Sequence, residues 1–305
     1  MENAPEKLTV EFDERAGSPR RIKSLVTLRA VVAGLLVAMI AANVWPLLLL
    51  SLGVPAASII EVIFLALYVW WAGGAGPPRR WQAARAAAFR RKTLSPAQWT
   101  WGLIAAFFLA VTIHAALVLL FRFIPFPTTA FRHGYDFSFI PTLKLRWLAV
   151  VISAVSAGIC EETGFRGYMQ QPIEQRYGAP VAIATSSFLF MVVHFTKSWA
   201  LVGMIPIVFG AGLLLGLLAW SSKSLIPGTI GHTMMDVGLF AYWWTGIAGT
   251  FSARPISESG VDGAFVVACA ALTISLSVVL LAISKLRRIT RFNMEDRFGP
   301  EQPQC

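Results

Sequence analysis

Apolar residues along this chain run in blocks about as long as a membrane crossing, separated by short polar or basic stretches. A helix needs ~20 apolar residues to span the hydrocarbon core. On that measure the pattern predicts spans at 30–52, 55–72, 99–121, 147–168, 180–197, 199–220, 225–246 and 263–284. The expected class is all-α, a polytopic transmembrane helical bundle of about eight spans. Glu61 interrupts the second span, which is therefore tilted or packed inside the bundle. The expected organisation is a polar N-terminal segment over 1–24, a bundle over 25–290 with its chemistry in 147–246, and a tail over 291–305. Nothing outside the bundle is large enough to fold alone, and no internal repeat is visible. The first apolar block is too long for a cleavable signal peptide.

Composition agrees: 56% of the 305 residues are hydrophobic and 14% charged, against about 25% charged in soluble domains. The net charge of +10 would suggest nucleic acid on a soluble protein. Here the basic residues cluster beside apolar spans and no aromatic-basic platform accompanies them, so membrane orientation explains the charge and nucleic acid is not an expected partner. With both termini cytoplasmic, the inside segments hold eighteen Lys and Arg and the outside loops six. That bias predicts both termini inside. The Ala- and Arg-rich, short-looped chain fits a bacterial inner membrane. Arg79, Arg80, Arg85, Arg90, Arg91 and Lys92 alternate with Ala, Trp81 and Phe89; this stretch reads as an interfacial helix on anionic lipid or as a solvated basic loop. Cys160, Cys269 and Cys305 fit neither a disulfide framework nor a zinc motif.

Ionisable residues inside spans require a reason, because charge in a bilayer is costly. Three groups stand out: Glu161-Glu162 with Arg166 on the fourth span, Phe190 with His194 on the fifth, and His232 with Asp236 on the seventh. Arg166 follows Glu162 by four residues, so the two can pair on one face, while Glu161 points about 100° away. One carboxylate is then neutralised and the other is available as a general base. His232 and Asp236 are one turn apart, which suits an orienting carboxylate for an imidazole or two ligands of a metal. A proton or ion path uses the same residue types. Gly212 and Gly216 permit close helix packing on the sixth span. His114 reads as a core or pore-facing group, His133 as a solvated loop residue, and Glu61 lacks an evident partner, with Arg122 a candidate. In straight helices Glu161 and His194 would be offset along the membrane normal, so a tilt, a kink or an earlier helix start must bring them together.

The order and spacing of Glu161-Glu162-x-x-x-Arg166, Phe190-x-x-x-His194 and His232-x-x-x-Asp236 resemble the three-motif signature of the CAAX-protease and bacteriocin-processing, Rce1-like family of intramembrane endopeptidases. The resemblance covers about 147–246. It implies that Glu161 activates the attacking water, that His194 helps hold that water, and that His232 with the last motif position stabilises the oxyanion. Glu162 and Arg166 match the remaining motif residues, read as orienting and substrate-contacting. The prenyl-protein members carry Asn at the last position, where this chain has Asp236. An ionised Asp cannot donate a hydrogen bond to an oxyanion. Asp236 therefore orients His232, or is protonated, or binds a metal.

The functional expectation is a membrane-embedded endopeptidase acting on an apolar or lipidated peptide or protein through glutamate-activated water. No cofactor is expected; if a metal is used, zinc on His194, His232 and Asp236 is the candidate set. Membrane lipids and the lipidated substrate are the expected partners. The rival readings are a non-catalytic scaffold or immunity-type protein, and a proton-coupled transporter.

Overall fold

The computed structural model describes residues 19–90, 93–128, 136–194 and 203–298. His133 and Cys305 lie outside the described residues, as do Arg91 and Lys92. All regular structure among the described residues is helical, and six helices are long and apolar enough to cross a membrane. Their lipid-facing sides expose large apolar residues such as Ile59, Ile63, Leu67 and Leu281, as expected where lipid replaces water. The protein is an integral membrane helical bundle.

The first predicted span is two helices, α1 (Pro19–Ala42) and α2 (Val44–Leu52). Pro46 supplies no N–H to the carbonyl four residues back and crowds it, which breaks the helix at Asn43. The Asn43 amide then bonds the Met39 carbonyl at 2.7 Å. Helix α3 (Val54–Ala72) follows Gly53, whose φ of 73° suits glycine. The basic stretch folds as a single 3₁₀ turn and the short helix α4 (Gln82–Ala88). Two of its arginines are inside the protein rather than on lipid. Arg85 donates to the carbonyls of Trp71, Ala75, Gly76 and Pro78. Arg90 reaches Glu174 at 2.6 Å and the Arg166 carbonyl at 3.2 Å.

Helix α5 (Pro96–Phe123) begins in a capping box between Ser95 and Gln98, with Pro96 at its first turn, and pairs along its length with the last helix, α12 (Gly263–Phe298). Beyond it, α6 (Leu143–Glu161), a π-helical segment (Glu162–Met169) and α7 (Gln170–Tyr177) form one continuous rod. Gly178, at φ 82°, ends the rod and turns the chain into α8 (Ala179–His194). Helix α9 (Ile205–Ser222) stops at Lys223, which takes a left-handed conformation. Helix α10 (Ile226–Gly238) continues as a second π-helical segment (Leu239–Trp244), and the short α11 (Ile256–Ser259) leads to α12. The spans predicted at 180–197 and 225–246 correspond to α8, of which 16 residues are described, and to α10 with its π segment, which together run over 226–244. Both carry candidate residues.

Two close crossings set the geometry. At Gly158 a Cβ would crowd Thr233 Oγ1 and lie 3.1 Å from the Thr229 carbonyl, so glycine lets α6 approach α10 closely there. At Gly164 a Cβ would lie 2.4 Å from Ala38 Cβ, so α1 presses on the π segment.

Candidate active site

The three motifs converge. The first straddles the end of α6 and the start of the π segment. Widening a helix from α to π changes the bearing of every later side chain, and such segments recur at functional sites. The carbonyls of this stretch find partners outside the helix: Ser186 Oγ donates to Phe165 O at 2.9 Å, and Arg90 Nε to Arg166 O at 3.2 Å.

Glu162 and Arg166 are fully buried and pair at 2.9 Å as the spacing predicts. The contact is an ion pair by distance rather than an aligned hydrogen bond, because Arg166 Nη1 lacks a partner in donor geometry. Arg166 is held further by the Gly212 carbonyl, at 3.3 Å from Nη2, and by the face of Phe190, 4.4 Å from its Cζ. Gly212 thus contributes a carbonyl as well as close packing. Glu162 Oε1 also meets His232 Nδ1 at 2.9 Å, which sequence spacing could not show. Glu162, not only Asp236, therefore orients His232. Asp236 Oδ2 lies 3.5 Å from His232 Nε2.

Glu161 points away from this pair, with its Oε2 at 3.9 Å from Nε2 of His194 and 3.9 Å from Nε2 of His232. His194 is the last described residue of α8. Its Nδ1 lies 2.7 Å from the Phe190 carbonyl. A carbonyl only accepts, so Nδ1 carries the hydrogen and a neutral His194 presents the lone pair of Nε2. Phe190 packs against both imidazoles, with ring centroids 4.5 Å from His194 and 5.8 Å from His232. The motif phenylalanine thereby fixes the two rings and Arg166 at once. The offset expected between Glu161 and His194 in straight helices is absent, since their side chains approach to 3.9 Å.

Glu161, His194 and Asp236 open on a cavity of about 370 Å³. Its other walls were not legible in the motifs: Asn43, Trp45 and Pro46 at the α1–α2 break, Ser153 and Ser156 on α6, and Phe240 and Trp244 beyond α10. The proline inside the first apolar block was the available signal. Three other candidates take structural places. Glu61 bonds Ser156, not Arg122. Arg122 pairs with Asp262 at 2.9 Å. His114 accepts from the Trp243 indole at 3.2 Å in the core. Cys160 is buried.

Among the described residues no group of three or more His, Cys, Asp or Glu side chains is placed to hold a metal ion. Within the ligand set expected from the sequence, His194, His232 and Asp236, the His232 Nε2 and Asp236 Oδ2 atoms lie 3.5 Å apart.

Residues 142–238 match the family described as Rce1-like, type II CAAX prenyl endopeptidase. The matched segment, about a third of the chain, contains all three motifs, and the resemblance read from them holds over it. The chain has no significant match among curated proteins or solved structures.

Proposed function

We propose that this protein is an intramembrane endopeptidase that hydrolyses a peptide bond of an apolar or lipidated substrate with water activated by Glu161. The observation that carries the reading is the pair of 3.9 Å separations from Glu161 Oε2 to the Nε2 atoms of His194 and His232, in a cavity wall. Such gaps are too long for direct hydrogen bonds and match a water held between polar groups.

Glu161 takes one proton of that water as general base. The lone pair of His194 Nε2 accepts its other hydrogen, because Nδ1–H is committed to the Phe190 carbonyl. The water oxygen attacks the scissile carbonyl carbon. His232, carrying hydrogens on both ring nitrogens, donates Nδ1–H to Glu162 and Nε2–H to the forming oxyanion. This leaves Asp236, 3.5 Å from Nε2, as the negative charge beside the imidazolium and removes the need for it to donate. As the intermediate collapses, Glu161 passes its proton to the leaving nitrogen, and the C–N bond breaks. Arg166 neutralises Glu162 and keeps it in place.

The cavity combines this polar edge with aromatic walls at Trp45, Phe240 and Trp244, which suits a peptide carrying apolar or lipid groups. The test compares membrane proteomes of cells carrying wild type and Glu161→Gln. Accumulation of uncleaved membrane peptides with the variant, at equal protein level, is expected. Identical peptidomes would instead favour a non-catalytic scaffold.

A further inference from the structure

Two hydroxyls in the cavity wall take no part in the mechanism above. Ser153 and Ser156 lie with Glu161 on the cavity side of α6. Each has its hydrogen-bonding direction set from behind by a residue outside the Rce1-like segment. Ser156 Oγ donates to Glu61 Oε1 at 2.7 Å. A hydroxyl has one hydrogen, so toward the cavity Ser156 can only accept. Ser153 Oγ receives the Trp45 indole N–H at 2.6 Å. An indole only donates, so the hydrogen of Ser153 remains for an acceptor in the cavity. Glu61 is fully buried in a membrane helix, a costly placement that calls for a role.

We propose that Ser153 and Ser156 form a subsite for substrate main chain, donor beside acceptor, that holds an extended peptide along α6 on its way to Glu161, with Trp45 and Glu61 as positioning residues. The proposal rests on the peptidase reading, since it gives the cavity a peptide to hold.

The ligand is an unwound main chain. In a helix the peptide N–H and C=O groups are bonded internally and cannot answer the two hydroxyls. In an extended segment they can. A transmembrane substrate must unwind to be cut, and each main-chain group freed in an apolar setting needs a partner. The rise of 1.5 Å per residue places Ser156 about 7.5 Å and Ser153 about 12 Å from Glu161 along the helix. At ~3.3 Å per residue of extended chain, these positions fall roughly two and four residues from the cleaved bond. Recognition there is of conformation, not of side-chain sequence.

The probe is an internally quenched farnesyl-cysteine peptide in detergent micelles, with analogues in which one backbone N–H at a time, on either side of the cleaved bond, is replaced by an ester oxygen. Cleavage is read with wild type, and binding is read with Glu161→Gln. One ester about two residues from the cleaved bond should weaken binding about 3- to 10-fold, the usual range for one neutral hydrogen bond. Ser156→Ala should weaken the all-amide peptide by a similar factor and erase the ester penalty, and Glu61→Leu should reduce it, because the released hydroxyl hydrogen can then turn toward the cavity. A mere structural role for Glu61 would leave the penalty in place. Ester scanning on unaltered Ser156 keeps the test independent of how the variants fold.

An ester penalty that persists in Ser156→Ala, or binding insensitive to every ester, overturns the subsite. Cleavage without any ester effect removes the subsite and leaves the peptidase. Ester-dependent binding without cleavage does the reverse. Absence of both binding and cleavage removes both.

Discussion

Replacing Arg166 by Met removes the counterion of Glu162 while keeping a long apolar stem. Both side chains are fully buried, so no solvent can screen the carboxylate that remains. Breaking a buried ion pair by deleting one partner costs roughly 3–5 kcal/mol. The lost contact with the Phe190 face, at 4.4 Å, and the orphaned Gly212 carbonyl add to this, although the contributions are not additive. His232 still donates to Glu162, which moderates the loss. The expected result is an apparent Tm lower by roughly 6–20 °C in detergent. The double variant Glu162→Gln with Arg166→Met removes the stranded charge, and its amide oxygen still accepts from His232 Nδ1. It should recover about half of the lost stability or more. Differential scanning fluorimetry of the four proteins gives the cycle directly. The reasoning fails if Arg166→Met costs less than about 1 kcal/mol, or if the double variant is no more stable than the single one.

Glu161→Gln keeps shape and removes basicity, so turnover of an identified peptide should fall about 10²–10⁴-fold with folding intact. Near-normal turnover would assign the base to another residue. Asp236→Asn should keep substantial turnover, because Glu162 also orients His232, whereas inactivation of wild type by chelator with recovery on zinc would make His194, His232 and Asp236 ligands. Asp262 is held below the usual carboxylate range by the Phe265 backbone N–H and by Arg122. Its stabilising effect is therefore present above the unfolded-state value near 3.8 and lost as pH falls through the lower folded value. A difference in thermal stability between wild type and Asp262→Asn should accordingly be seen at neutral pH and vanish in acid. A reporter fused after residue 290 should be cytoplasmic if the basic-residue bias sets the orientation, and an external signal would refute that topology.

The sequence by itself determined the fold class and most of the polar machinery. Long apolar runs have one stable form in lipid, because every main-chain group must be bonded within its own segment. The costly residues in those runs, from Glu161 to Asp236, marked the site, and the Glu162–Arg166 pair followed from a spacing of four along one helix. What lay beyond reach were relations between helices. The Glu162–His232 contact, the Glu61–Ser156 bond and the cavity wall at Trp45 join residues far apart in the chain, and no periodicity encodes such distances. The break at Asn43, the π segment after Glu161 and the closeness permitted by Gly158 are local events whose effect is tertiary. Each turns or shifts a helix so that side chains on separate spans meet. Tertiary packing also decided the fate of two arginines in the basic stretch, while Arg79 and Arg80 stay exposed. Arg85 and Arg90 find unpaired carbonyls and Glu174 inside the protein, and satisfying those buried acceptors outweighs the attraction of a lipid surface.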